Sequence, residues 1–203
     1  MGRLPSHLIC SRALQIMMKA AAVFLLAVLL TGCASLSREQ CQRGDWQGIG
    51  MADALAGEPA NRIEQHVRAC SEFGIRIDNQ QYLAGYAQGL NEYCRIDNAF
   101  ESGLQGRRYQ HVCPPSIDAQ FERGNRAAYE VYRIRKELDN LENQIDSLEL
   151  RLHRRDLSDD YRHRLRDDLR RLDRQYDQLR GDLYSSQRFL DRLMDEGRAQ
   201  PIP

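Results

Sequence analysis

The sequence predicts an all-α fold, in which a small disulfide-braced helical domain is followed by a long antiparallel coiled-coil hairpin. Two observations lead to this fold class. Four cysteines lie in a glycine-punctuated region between Ser35 and Pro115, and none follows it. Beyond Pro115, apolar residues recur at heptad spacing among charged residues, which is typical of a coiled coil. We therefore expect a signal segment, a disulfide-containing domain, a hairpin and a flexible tail, over residues 1–32, 33–115, 116–196 and 197–203.

The first segment has the pattern of a bacterial lipoprotein signal peptide. An apolar run from Ala20 to Leu30 follows Lys19 and ends at Thr31-Gly32-Cys33. The run is shorter than the roughly 20 apolar residues that a membrane-spanning helix needs. We expect Cys33 to be the first mature residue and to carry acyl chains such as palmitate, with no other cofactor. A start at Met17 or Met18 would give a compact signal, which makes residues 1–16 an upstream extension.

The residue after Cys33 and the charge balance bear on location and partners. Ala34, and not aspartate, follows Cys33, which resembles the pattern of lipoproteins passed on to the outer membrane. We expect a protein anchored there by its lipid, on the periplasmic side. The chain has 29 basic and 29 acidic residues, and loss of the signal removes only basic ones. The slightly acidic remainder does not favour nucleic acid as a partner.

The remaining cysteines predict disulfides. Because the periplasm is oxidising, four cysteines in an exported segment of this size are expected to pair. Three connectivities are possible, and sequential pairing is favoured because it closes the shorter loops: Cys41 with Cys70 and Cys94 with Cys113. The alternative is a zinc site, but no CxxC pair is present and we expect no metal.

Glycine, proline and capping residues divide the disulfide domain into three predicted helices. The first begins after Asp45 and stops before Gly57. The second has Pro59 in its first turn, where the missing N–H group costs nothing. The third is capped by Asp78 and runs to about Cys94.

The third helix carries two glycines four residues apart, Gly85 and Gly89, among aromatic residues. Glycine inside a helix costs up to about 1 kcal/mol relative to alanine, so the pair predicts close approach of another helix or an aromatic ring. A related spacing recurs around Gly103 and Gly106, which we interpret as a packing theme and not as a repeat array. Five aromatic residues could instead line a ligand groove: Trp46, Tyr82, Tyr86, Tyr93 and Tyr109.

Many of these positions form one pattern, which comprises Asp45-Trp46, Gly50, Asp53-Ala54, Gly57, Cys70, Gly74, Tyr82, Gly85, Gly89-Leu90, Cys94, Asn98-Ala99-Phe100, Gly103, Gly106, Tyr109 and Cys113-Pro114. The pattern resembles a family of Gram-negative envelope lipoproteins known only as a domain of unknown function. The resemblance runs from Cys33 into the early coiled coil. It implies export and a helical disulfide domain, and it carries over no catalytic residue.

The hairpin prediction rests on two heptad seams that are out of phase. Position a of the first seam holds Val131, Leu138, Ile145 and Leu152, and position d holds Ile134, Leu141 and Leu148. The second seam has Leu169, Tyr176, Leu183 and Leu190 at a, and Leu165, Leu172, Leu179 and Leu193 at d. The first register cannot continue, because it would place charged residues such as Arg155 and Asp159 in the core. The chain must therefore turn between Leu152 and Leu165, with Ser116 capping the first arm and Ser158 the second.

An antiparallel arrangement pairs the two seams without adjustment. The facing pairs are Leu152 with Leu165, Leu148 with Leu169, Ile145 with Leu172, Leu141 with Tyr176, Leu138 with Leu179, and Ile134 with Leu183. Near the base, the same rule sets Val131 against Ser186, Ala127 against Leu190 and Gly124 against Leu193. Small residues are thus expected to meet larger ones there.

These features favour a protein that is not an enzyme. We expect an outer-membrane lipoprotein that acts through protein contacts, as an envelope scaffold or assembly factor, with the hairpin binding an envelope protein or a second copy of itself. The alternative is a periplasmic lipoprotein whose aromatic groove binds a glycan or lipid fragment. A hydrolase using Asp45, Asp53 and His66 or His111 has no GxSxG or HExxH motif to support it.

Overall fold

The computed structural model describes residues 35–199, and these residues are helical without a strand, which confirms the all-α fold class. The predicted signal segment, Cys33 and the last four residues of the predicted tail lie outside this range. A 3-10 turn at Ala60–Arg62 accompanies seven α-helices. The helices are α1 (Arg38–Arg43), α2 (Trp46–Leu55), α3 (Ile63–Ser71), α4 (Asn79–Tyr93), α5 (Ile96–Leu104), α6 (Pro115–Leu152) and α7 (Asp159–Ala199).

The described residues form two compact units, and the first comprises residues 35–45 and 63–77. It holds α1 and α3, which the Cys41–Cys70 disulfide joins. Ser37 caps α1 by accepting a hydrogen bond from the Gln40 backbone, and the Gln40 side chain accepts one from the Ser37 backbone. A disulfide that closes a loop of this length stabilises the folded chain by about 3 kcal/mol. The bridge therefore supplies much of the stability of a unit whose helices are short.

The second unit comprises residues 46–62 and 78–199, and its first layer is the pair α2 and α4. Asp78 caps α4 as predicted, because its carboxylate accepts hydrogen bonds from the backbones of Gln80 and Gln81 at 3.0 Å. Gly85 lies against α2, where an added Cβ would come within 2.7 Å of the Gln47 carbonyl carbon. The predicted close approach of another helix is therefore present, and α2 is the helix that approaches.

A continuous core follows where α5 packs against α6 and the end of α7. It includes the Cys94–Cys113 disulfide, so both bridges have the sequential connectivity that the sequence favours. The core consists of Tyr93, Cys94, Ile96, Ala99, Phe100, Cys113, Phe121, Ala127, Ala128, Val131, Leu190 and Leu193. The base of the hairpin thus belongs to the same packed body as α5, and the boundary expected at residue 115 falls inside the second unit.

The hairpin of α6 and α7 has the predicted turn between Leu152 and Leu165. Every residue assigned to a seam is buried or half-buried, whereas the residues between the seams are mostly exposed. The Tyr176 hydroxyl donates a 2.6 Å hydrogen bond to Glu142, the neighbour of its predicted partner Leu141. This contact joins the two arms close to the position that the predicted register gives. At 1.5 Å per residue, the 38 residues of α6 span about 57 Å.

Two helix ends differ from the sequence-based expectation. The helix α6 begins at Pro115, so Ser116 lies inside the first turn, and the prediction that Ser116 is its N-cap was wrong. Proline suits this position because the first helical residue has no intrahelical acceptor for its N–H group. At the other end, α7 continues past Glu196 to Ala199. Ser158 does lie before α7, and its hydroxyl accepts a hydrogen bond from the Tyr161 backbone.

Candidate interaction surface on the helical hairpin

The aromatic residues proposed for a ligand groove are packing residues in this structure. Tyr82 is fully buried, and Trp46, Tyr86 and Tyr93 are nearly so, while Tyr109 is half-buried. A groove for a glycan would leave several of these rings exposed in one concavity. The described residues instead place them in the helix contacts of the second unit, as the packing interpretation predicts.

Three tyrosine hydroxyl groups in these helix contacts have defined hydrogen-bond partners. The Tyr82 hydroxyl donates to Asp53 at 2.7 Å, and the Tyr86 hydroxyl donates to the Glu58 carbonyl oxygen at 2.7 Å. Tyr109 donates to Asp118 at 2.6 Å and accepts from the Cys113 backbone at 2.7 Å. Because hydrogen-bonded partners offset the cost of burying a polar group, these contacts fix the rings without exposing them.

Burial, together with the hydrogen bond to Asp53, raises the pKa of Tyr82 well above that of an exposed tyrosine. The unfolded chain therefore loses this proton first, at a pH of about 10, while the folded chain retains it. We expect the free energy of unfolding to fall above pH 10, by about 1.4 kcal/mol per pH unit for a tyrosine that stays protonated. Urea unfolding between about pH 9 and 11 measures this slope. Tyr82→Phe should decline less steeply than the wild type, and an equal slope in both proteins would contradict the assignment.

Three residues of the hydrolase alternative have defined contacts within their own units. In the second unit, Asp53 accepts a hydrogen bond from the Tyr82 hydroxyl. In the first unit, His66 is buried, with its Nδ1 atom 2.9 Å from the Ser35 hydroxyl. His111 lies 3.6 Å from Asp118, and its ring is tilted against the ring of Tyr109. No cluster of three metal-ligating side chains occurs within residues 35–199.

Asn125 is a buried polar residue that sequence reasoning missed. It is 3% exposed, and its amide nitrogen donates to the Ala99 carbonyl, the Ser102 hydroxyl and the Arg107 carbonyl. Its side-chain oxygen accepts from the Tyr109 backbone at 2.9 Å. The amide therefore fastens the loop after α5 to α6. An asparagine within a helix gives no sequence signal for this role, since such residues are usually solvated.

An open groove of about 590 Å³ lies between α6 and α7 near the base of the hairpin. It is lined by Arg123, Arg126, Ala127, Glu130, Ser185, Ser186 and Phe189. The groove is unfilled because Ala127 and the two serines have small side chains, whereas most seam positions elsewhere carry leucine. The ring of Phe189 is 41% exposed at the edge of this groove. A large apolar side chain beside an unfilled depression is a feature of protein contact sites.

The opposite wall of the groove is charged. Arg123 lies 3.5 Å from Glu196, and Arg126 lies 3.9 Å from Glu122, while both arginines remain largely exposed. The hydrogen bond from Arg133 lowers the pKa of Glu130, which therefore stays ionised at neutral pH. The arrangement suits an apolar side chain flanked by polar or acidic residues. The predicted pairing of Val131 with Ser186 was the sequence signal for this gap in the seam.

A second exposed apolar group lies at the turn of the hairpin. Leu150 is 72% exposed and Tyr161 is 37% exposed, with the Arg164 guanidinium 5.7 Å from the Tyr161 ring. Neither side chain lines the groove at the base.

One family model matches part of the chain. The model of a family described as "Protein of unknown function (DUF2799)" matches residues 45–130. No curated protein and no solved structure matches the chain. Within residues 35–199, no helix is long and apolar enough to cross a membrane.

Proposed function

We propose that this chain, whose residues 45–130 match the model of a family of unknown function, is a lipid-anchored envelope protein that acts by binding another protein. In this proposal Cys33 carries the lipid at the outer membrane, facing the periplasm. The helical body then presents the hairpin as a scaffold or assembly factor. No catalytic step is proposed.

The groove beside Phe189 is the observation that carries the proposal. Large apolar residues, mostly leucine, fill the seam of the hairpin over most of its length, yet small residues line this groove next to an exposed aromatic ring. An aromatic anchor beside a depression is where protein contacts concentrate their binding free energy. The two disulfides support the proposed export, because such bridges persist in oxidising compartments.

Site-specific photocrosslinking in intact cells tests this function. We expect a photoreactive residue at position 189 to give one discrete intermolecular adduct, since a partner bound in the groove would lie against it. Mass spectrometry of the adduct would show whether the partner is another envelope protein or a second copy of the chain. Both outcomes are consistent with a scaffold.

Gly181 provides the matched control position. It lies on the same helix and is exposed, with no atom within 4 Å of an added Cβ. A photoreactive residue there should give only weak, heterogeneous products. The same products from positions 181 and 189 would overturn the proposal that the groove binds a partner.

A further inference from the structure

Two stretches of the chain share an order of cysteines, glycine and helices, with the 3-10 turn and α3 added in the first. Each begins with a cysteine, continues with a short helix that ends two residues before a glycine of positive φ, and reaches a second cysteine before a longer helix. In the first stretch the glycine is Gly57, with φ of 73°, and in the second it is Gly106, with φ of 81°. The two cysteines within each stretch form a disulfide with each other. We propose that residues 41–93 and 94–132 are two copies of one helix–loop–helix motif, which arose by duplication within the chain.

The turn after the short helix has the same hydrogen bonds in both copies. In the first copy, the Gly57 backbone donates to the Ala54 carbonyl at 2.9 Å, and the next backbone N–H group donates to the Asp53 carbonyl at 3.0 Å. In the second copy, the Gly106 backbone donates to the Gly103 carbonyl at 2.9 Å, and the next N–H group donates to the Ser102 carbonyl at 2.9 Å. Each of these residues in the first copy is separated from its equivalent in the second copy by the same number of residues.

The long helix contacts this turn through equivalent positions as well. The Tyr86 hydroxyl donates to the Glu58 carbonyl at 2.7 Å, and the Asn125 amide donates to the Arg107 carbonyl at 3.0 Å. Two turns further along the same helix, an aromatic ring covers the glycine in each copy. An added Cβ would lie 2.6 Å from the Tyr93 Cζ atom at Gly57, and 2.5 Å from the Tyr132 Cζ atom at Gly106.

In each copy, the short helix and the long helix cross at an equivalent pair of positions. Glycine and alanine are exchanged between these two positions from one copy to the other. In the first copy, an added Cβ on Gly89 would lie 2.7 Å from the Cβ of Ala54. In the second copy, an added Cβ on Gly103 would lie 2.7 Å from the Cβ of Ala128. Gly103 corresponds to Ala54, and Ala128 corresponds to Gly89. Each crossing therefore holds one glycine and one alanine, on opposite helices.

The copies differ on the surface that binds α7. In the second copy, Ile96 and Phe100 lie within 3.7 Å of the Cβ position of Gly197, near the end of α7. The equivalent residues of the first copy are Gln47 and Met51. Gln47 donates a 3.1 Å hydrogen bond to Gln88, which takes the position of the buried Ala127, and Met51 is 36% exposed. The end of α7 thus contacts the copy whose surface is apolar.

An exchange of the small residues at the helix crossing tests the duplication. Gly89→Ala should lower the urea midpoint of unfolding, because the new Cβ would lie 2.6 Å from the Met51 carbonyl oxygen and 2.7 Å from the Ala54 Cβ. The double variant Ala54→Gly with Gly89→Ala reproduces the glycine and alanine of the second copy. It removes the contact with Ala54 but not the one with Met51, so we expect it to recover part of the lost midpoint. Ala54→Gly alone should destabilise the protein, because glycine is a poorer helix former than alanine. Recovery in the double variant would therefore not come from helix propensity.

The reciprocal exchange provides the matched control in the second copy. Gly103→Ala should likewise be rescued by Ala128→Gly, which restores one glycine and one alanine at the crossing. Where a single variant does not fold, folding of the double variant is the recovery that the proposal expects. Losses that add in both copies, or double variants that also fail to fold, would overturn the equivalence of the two crossings.

Discussion

Replacement of Gly85 with alanine is expected to lower the free energy of unfolding by about 3 kcal/mol or more. The added methyl group would lie 2.7 Å from the Gln47 carbonyl carbon and 2.9 Å from the Gln47 Cα atom, so it would overlap the backbone of α2. A flexible side chain could move aside, but the backbone of a packed helix moves only if the two helices separate. Urea unfolding followed by circular dichroism at 222 nm measures the loss.

Gly181→Ala is the control for this substitution. It makes the same chemical change inside a helix, but an added Cβ at Gly181 has no atom within 4 Å. The substitution should therefore stabilise the protein by up to about 1 kcal/mol, through helix propensity alone. If both variants changed stability in the same direction, close contact between α2 and α4 would not be what requires glycine at position 85.

Cys33→Ala is expected to abolish fatty-acid labelling and to move the protein from the membrane fraction to the soluble fraction. Each methylene group buried in a bilayer contributes about 0.8 kcal/mol, so the acyl chains on Cys33 would supply the attachment in the proposed function. Metabolic labelling with a fatty acid, followed by fractionation, measures both effects.

Cys10→Ala is the cysteine control, since Cys10 precedes the compact signal and the predicted mature chain and should carry no lipid. It should retain the label and the membrane location of the wild type. A wild-type protein without label, or a labelled Cys33→Ala variant, would exclude lipid attachment at Cys33. The described helices would be unaffected by that result, because they begin beyond Cys33.

Local and periodic features were predictable from the sequence. The heptad seams of the hairpin repeat every seven residues and meet a partner on the neighbouring arm, so their register follows from chain order alone. The Asp78 cap and the glycines Gly85 and Gly89 also have local causes. Sequential disulfide pairing was favoured by loop length, which is a property of the chain and not of the fold.

The duplication could not be predicted from side-chain identity. Few identical residues occupy equivalent positions, among them Gly57 with Gly106 and Tyr93 with Tyr132. The likeness lies in backbone hydrogen bonds and in the exchanged glycine and alanine at the crossing, which no local pattern displays. In the first copy, the segment between α2 and α4 also contains α3, so the spacing between these two helices differs from that in the second copy. The recurrence around Gly103 was therefore interpreted only as a packing theme. The family match, residues 45–130, covers most of both copies.

Ser35 is joined to the first unit through His66, and it lies only two residues after the predicted acylation site. Two residues of fully extended chain reach about 7 Å. A lipid on Cys33 would therefore leave only a very short connecting segment between the bilayer and the first unit. The first unit would then lie at the membrane surface itself.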